Sequence, residues 1–476
     1  MPGDQRPNLK RSRHISSQRI TLLCLAVPLS LTSLSMSIMN GVLPELVQLF
    51  DTSIHLLNLL VISYLLSITA FLLVAGSLGD RYGYKSILRV GITIFIVGSA
   101  LGGLSDTLMM LIAARLIQGI GAALVITQIY AFAGAIFEAN KTGSVMGFLG
   151  TMTAVGTALG PLLGSLLLEF AGWPFIFWLM LSLGALSLLL CEHYLSGEHL
   201  WRPAANKATK QDALFFVLSL IFYSLSVSFI GTLKPTENII LFLLALAFGV
   251  LFIKAQKGSS SPFLPASLFA EKQRNIALTS AFVIDAIAMS TLLIGPFYLA
   301  YVLDLSLTSV GLVASLGPMI GAISGFPAGR LVDRYSTELI MKIGLFLVMV
   351  GTLCFAYLPL YFAIYGYILS LFILTPARQM FHAANGAYII KGAAEPEKGK
   401  AAGLINLSRN LGLITGGAVF TRIFNGLLDA EMVSNAQVWR IKEAFSVTFC
   451  LASIIAGIAL TALLFVMNKQ LCDKGQ

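Results

Sequence analysis

The chain has 476 residues, of which 57% are apolar and only 11% charged. Soluble domains carry charge on roughly a quarter of their residues, so an ordinary cytosolic enzyme is excluded. The net charge of +9 is spread thinly between long apolar runs, which excludes a disordered chain and a nucleic-acid-binding surface. What remains is an all-α polytopic membrane protein. Five cysteines (Cys24, Cys191, Cys354, Cys450, Cys472) show no CxxC or paired spacing, so neither a disulfide framework nor a metal site is expected.

Residues 1–19 are polar and basic and precede an apolar run with no small-residue cleavage site. They read as a cytoplasmic tail and a signal anchor, not a removable signal peptide. About 20 apolar residues cross the hydrocarbon core as a helix. By that measure fourteen spans follow in order: 20–44, 54–78, 87–105, 108–133, 143–168, 174–192, 212–231, 238–255, 276–302, 308–329, 339–358, 361–386, 401–424 and 443–467. Small residues inside several of them (Gly119/Gly121, Gly156/Gly160/Gly164, Gly412/Gly416/Gly417) let helix backbones approach where hydrophobicity cannot drive association.

Basic residues set the orientation. With the N-terminus inside, 24 of the 31 Lys and Arg fall in cytoplasmic tails and loops, 4 in external loops (Lys234, Arg422, Arg440, Lys442) and 3 within spans. That bias predicts both termini on the cytoplasmic side.

Polar segments around 193–211 and 256–275 bracket two short spans without charge in their cores. Setting those aside leaves six spans on either side. The expected domains are the tail 1–19, a six-helix bundle over 20–195, a linker with two extra helices over 196–275, a second bundle over 276–467, and a tail over 468–476. Duplication is the main sequence sign of a transporter built from repeated bundles. One short match supports it: GSLGDRYGYK (Gly76 to Lys85) follows span 2, and GRLVDRYS (Gly329 to Ser336) follows span 10.

With these residues the sequence resembles the major facilitator superfamily. Its loop motif, G-x-L-[AG]-D-R-x-G-R-[KR], is met by Gly76, Leu78, Gly79, Asp80, Arg81, Gly83 and Lys85, with Tyr84 in place of the usual Arg. Leu111, Arg115, Gln118, Gly119 and Gly121 are similar to its helix 4 motif. GTALGPLLGS (Gly156 to Ser165), with Gly156, Gly160, Pro161 and Gly164, is similar to its antiporter motif, Ser165 replacing the last glycine. Fourteen spans, PFLPASLF (Pro262 to Phe269), FYLAYVLDLSLTSVGLVASLGP (Phe297 to Pro318) and GLINLSRNLG (Gly403 to Gly412) resemble its fourteen-helix drug:proton antiporter branch.

Departures bear on mechanism. Helix 1 reads LSMSIMNGVLP: Asn40, Leu43 and Pro44 keep the branch pattern, but Ser35 stands where an intramembrane Asp belongs. Leu59 replaces a tryptophan and Ala300 a glutamine. The usual helix 1 acid cannot serve as a proton site here, although Ser35 and Asn40 stay candidates for the cavity wall.

Four charged side chains lie well inside spans: Arg115, Asp285, Arg378 and Arg409. A charge at depth is costly unless it faces protein or water, so each is a functional candidate. The resemblance places spans 1, 4, 9 and 12 around a cavity, and three of the four charges fall on them. Asp285 sits roughly 14 Å into span 9 at 1.5 Å per residue. It reads as a proton-coupling site, with a permanent salt bridge as the alternative. Arg115, with Gln118 one turn deeper on the same face, takes part in proton transfer by resemblance; its alternative is packing against carbonyls of span 1. Arg378 is the natural partner of Asp285 or of an anionic substrate group. His382 reads as a structural or headgroup-level histidine, and Arg409 with Asn406 as a brace of the cytoplasmic gate. Tyr64, Phe297 and Tyr298 are candidates for an amphipathic pocket.

By resemblance Asp80 engages the other half when the cytoplasmic side is shut, as a negative charge near a helix N-terminus favours; Asp333 and Arg334 form its mirror copy. The resemblance also implies a proton-coupled exporter of amphipathic small molecules, working as a monomer in a bacterial inner membrane. No GxxxxGK[ST] loop occurs, so the proton gradient is the expected energy source and no cofactor is assigned. A specific metabolite such as a siderophore or organic anion is the alternative substrate, and a transport-dead receptor or channel the alternative class.

Overall fold

The computed structural model describes residues 6–136, 142–195, 210–230, 233–257, 266–392, 398–428 and 436–474. Among them every regular element is a helix: α1 (Arg6–Ser37), α2 (Leu43–Leu49), α3 (Ile54–Tyr82), α4 (Tyr84–Gly103), α5 (Leu108–Ile136), α6 (Thr142–Ala171), α7 (Pro174–Tyr194), α8 (Lys210–Ser228), α9 (Pro235–Lys257), a 3-10 turn (Ala266–Phe269), α10 (Lys272–Tyr301), α11 (Leu307–Arg334), α12 (Thr337–Lys391), α13 (Lys398–Gly426) and α14 (Val438–Lys474). A helix satisfies its own backbone groups, which is what an apolar segment must do in lipid. Ten of these helices are long and apolar enough to cross a membrane, and α3 and α8 contain shorter apolar stretches. The side chains of the basic tail, 1–19, lie outside the described residues, as do linker segments 196–209 and 258–265.

One detail differs from the sequence expectation. The first span does not run as one helix to residue 44: α1 ends at Ser37, and a turn over 38–42 leads into α2. The two expected spans 339–358 and 361–386 both fall within α12, 55 residues long, whose backbone is non-helical at Ala363, so that a helix lies on either side of the break. At 1.5 Å per residue its 55 residues would run more than twice the hydrocarbon thickness. The chain folds back on itself there. Gly344 stands against Ala377 and Phe381, Gly351 against Leu374, and the Phe355 and Tyr367 rings meet edge to face at 5.1 Å. Serine hydroxyls cap three helix starts, with Ser53, Ser306 and Ser336 accepting from the backbone N–H of Leu56, Ser309 and Leu339, a pairing that satisfies donors a helix N-terminus leaves open.

Close packing within each half follows from small residues. Gly156, Gly160 and Gly164 on α6 lie on Ser30 and Ser37 of α1 and Ile38 of the turn after it, where a Cβ would collide with backbone. Gly412 and Gly416 on α13 lie in the same way on Phe282 and Ala286 of α10. The halves join through α6 with α11, α3 with α13 and α2 with α10. The α8–α9 pair sits outside both bundles against α3 and α13, tied to α13 by a 2.6 Å hydrogen bond between Tyr223 Oη and Thr415 Oγ1.

Candidate functional site

A cavity of about 350 Å³ lies between the two halves. Met36, Ser37 and Asn40 line it from α1 and the turn after it, Thr153 and Thr157 from α6, and Leu371, Thr375 and Arg378 from α12. Its charged lining residues are Asp285, Arg378 and Arg409. Asp285 is 1% exposed. Its Oδ2 accepts from Arg409 Nε at 3.1 Å, its Oδ1 lies 3.2 Å from His382 Nε2 and 3.8 Å from Arg378 Nη1. Three helices, α10, α12 and α13, therefore focus two guanidinium groups and an imidazole on one carboxylate.

The partnership of Arg378 with Asp285 is the one the sequence pointed to. Arg409, expected to brace the cytoplasmic gate, lines the cavity and donates to Asp285, while Asn406 is exposed. His382 is the functional residue that sequence reasoning set aside. Its signal was its spacing, since Arg378 and His382 stand four apart on one helix face.

Arg115 and Gln118 occupy a different place. Arg115 is 1% exposed and does not line the cavity. Its Nε donates to the Leu60 carbonyl at 3.2 Å, Nη2 to the Ser35 carbonyl at 2.9 Å, and Nη1 to both Ser35 Oγ and Gln118 Oε1 at 2.9 Å. The guanidinium lies over the Tyr64 ring at 4.1 Å, and Gln118 Nε2 continues the network to Ser99 Oγ at 2.8 Å. This knot joins α1, α3, α4 and α5 inside the first bundle. Tyr64, Phe297 and Tyr298, considered as pocket aromatics, are all fully buried away from the cavity.

The loop motif is built for close approach. A Cβ on Gly79 would overlap the Gln128 side chain of α5, whose Nε2 donates to the Ala75 carbonyl at 2.7 Å. Gly83 turns α3 into α4 with φ at +93°, a conformation that favours glycine. A Cβ on Gly76 would only touch Thr127. Arg81 is exposed and lies over the Tyr82 ring, and Lys85 is half-buried. In the repeat copy Asp333 and Arg334 are exposed. The Asp80 side chain lies outside the described residues.

The halves meet on the side away from the start of α1 and the end of α14. There Tyr301 Oη donates to the Pro44 carbonyl at 3.0 Å and accepts from Gln48 Nε2 at 3.1 Å. Ser315 Oγ lies 3.1 Å from the Leu162 backbone N–H, Asn58 Nδ2 donates to Thr421 Oγ1 at 2.9 Å, and Thr308 bonds Glu169. Toward the termini, Gly150, Gly329 and Gly403 face open space. The cavity is thus sealed on one side by direct contact between α6 and α11. The seal is tight at Gly311, where a Cβ would lie 2.6 Å from the Pro161 carbonyl and 2.7 Å from Ser165 Cβ. Gly311→Val is expected to strain it by about 1–3 kcal/mol and shift the population toward the state open on that side. Spin labels at Glu169 and Thr308 would report this as a longer distance; an unchanged distance would contradict it.

Two helical bundles facing each other across a cavity with a charged cluster on its wall define a membrane transporter architecture, and the sequence profile of the Major Facilitator Superfamily matches residues 25–417. The chain belongs to that superfamily and is a multi-pass membrane protein. It is 27% identical over 417 residues to the uncharacterized transporter YebQ of Escherichia coli, covering 85% of this chain and 88% of that one. With the riboflavin transporter RibZ of Clostridioides difficile it shares 25% over 456 residues, 94% and 98% of the two chains. The multidrug resistance protein Stp of Mycobacterium tuberculosis is 28% identical over 341 residues, 71% of this chain and 63% of that one. Among solved structures, the nucleoside transporter NupG superposes with a TM-score of 0.66 at 13% identity, covering 94% of this chain and 99% of that one. A bacterial homolog of the human lysosomal transporter Spinster, in an inward-facing and occupied conformation, gives 0.64 at 14% identity, covering 95% and 97%. Those two likenesses show the fold.

Proposed function

We propose that this protein is a proton-coupled secondary active transporter that moves amphipathic small molecules by alternating access. The observation that carries this is Asp285, a single buried carboxylate on the wall of a cavity between two half-molecules that touch on one side and part on the other. Intramembrane acids in such positions mark ion pathways. In the proposed topology fourteen spans place both termini in the cytoplasm of a bacterial cell, so this is the inward-facing state. The protein works as a monomer, with the proton gradient as its energy source. Export by antiport is supported by the α6 motif and by the multidrug resistance relative. A second form, carriage of a specific metabolite such as an organic anion, is favoured by the two arginines set against one acid.

The test is flux in proteoliposomes under an imposed proton gradient, with ethidium, riboflavin and the amphipathic carboxylate dansylglycine as probes, comparing wild type with Asp285→Asn. Gradient-driven movement of at least one probe, falling at least tenfold in the variant, is the expected result. A wild type that moves none of them would overturn the proposal.

A further inference from the structure

The cluster around Asp285 is unbalanced. Each guanidinium carries five N–H donors. Of those on Arg378 and Arg409, only Arg409 Nε–H is spent at hydrogen-bond distance, on Asp285; among the described residues the others make no hydrogen bond, and Arg378 adds only the 3.8 Å ion pair. The Arg378 and Arg409 side chains are 26% and 39% exposed, whereas Asp285 is 1% exposed. The donors are therefore far more open to the cavity than the acid, which lines it but is almost fully covered. Among the described residues no second carboxylate lines the cavity, so the site holds two fixed positive charges against one negative.

We propose that Arg378 and Arg409 form the binding site for an anionic group, a carboxylate or sulfonate, on an amphipathic substrate. The geometry suits it. Guanidinium groups recognise planar anions through paired N–H donors, and Met36, Leu371, Leu374 and Leu413 supply an apolar wall for the rest of the molecule. Across the cavity Asn40 is a further polar lining residue.

This inference rests on the cavity being the transport site, and it determines the sense of coupling. The groups facing Asp285 are Arg378 and His382 from α12 and Arg409 from α13; the lining residues of α1 and α6 carry no charge. A proton on Asp285 removes the arginines' internal counter-charge and leaves them for the substrate. Proton and anionic group each strengthen the other's binding, as linkage requires, and so travel in the same direction. A cationic substrate would compete with the proton for Asp285 and be exchanged against it.

The test uses purified full-length protein in phosphatidylcholine nanodiscs, with dansylglycine and its uncharged analogue dansylamide as fluorescent probes. Asp285→Asn imitates the protonated acid and is expected to bind dansylglycine about tenfold more tightly and without dependence on pH. Arg409→Gln and, separately, Arg378→Gln are expected to weaken it by about tenfold while leaving dansylamide unchanged. Melting curves identify any variant that has not folded, and either arginine variant suffices. In proteoliposomes dansylglycine should move with the imposed proton flow. Unchanged or weaker dansylglycine binding by Asp285→Asn would overturn the proposal, as would its movement against the proton flow. Displacement by added phosphatidylglycerol would overturn it too, reassigning the arginines to a lipid headgroup. Gradient-driven ethidium flux alongside any of these would leave the transporter reading standing, whereas absence of all flux would sink that reading instead.

Discussion

Asp285→Ala is expected to abolish gradient-driven transport and to lower the melting temperature of the detergent-solubilised protein by about 5 °C. The acid is the counter-charge that lets Arg378, Arg409 and His382 cluster beside the cavity. Removing one partner of a buried ion pair leaves the other uncompensated, at about 3–5 kcal/mol for fully buried groups. Here Arg378 and Arg409 reach the cavity, so about 2–3 kcal/mol is the expected cost. Combining Asp285→Ala with Arg409→Leu should return part of that stability, because it removes the nearer of the two charges left unpaired, while transport stays lost. The check is a double-variant cycle by melting, with flux measured in parallel. A single variant that melts within 1 °C of wild type would show that the cluster contributes nothing to stability.

Arg115→Leu is expected to have a larger effect on stability and a different character. The substitution leaves the Ser35 carbonyl and Gln118 Oε1 without their Arg115 donors in a site with no access to water, while the Leu60 carbonyl keeps Ser63 Oγ. Each buried acceptor so orphaned costs about 1–3 kcal/mol, so a total of about 3–5 kcal/mol and poor recovery from the membrane are expected. Arg115→Lys should recover only part of it, since an ammonium cannot reach carbonyls on two helices in the guanidinium's fork. We propose on this basis that Arg115 holds the first bundle together and carries no proton. Measuring the pH profile of transport in Arg115→Lys decides the matter: an unchanged profile with reduced stability is expected, and a shifted profile with unchanged stability would assign Arg115 to proton transfer.

The two predictions show where legibility in the sequence stopped. Composition and the length of apolar runs identify helices, because lipid leaves a buried backbone few alternatives. Spacing within one helix is equally readable. The loop motif could be matched residue by residue, and its glycines turn out to have local causes: the positive φ of Gly83 and the side chain of Gln128 lying against Gly79. The pairing of Arg378 and His382 on one helix face was available by the same logic, and was passed over because a lone histidine carries little information without its partner.

Which charges share a site is a different kind of fact. Arg115, Asp285, Arg378 and Arg409 looked alike along the chain, four rare charges at depth. Arg115 is enclosed within one bundle while the other three converge on a cavity. That division depends on helices far apart in sequence, α10 against α12 and α13, brought together at distances of a few ångströms. By itself the sequence determined that this is a helical membrane protein, because hydrophobic length and local motifs act through neighbours along the chain. Only the tertiary structure decided that Asp285 faces two arginines and a histidine, because an electrostatic partnership depends on separation and orientation in space, which the order of residues does not specify.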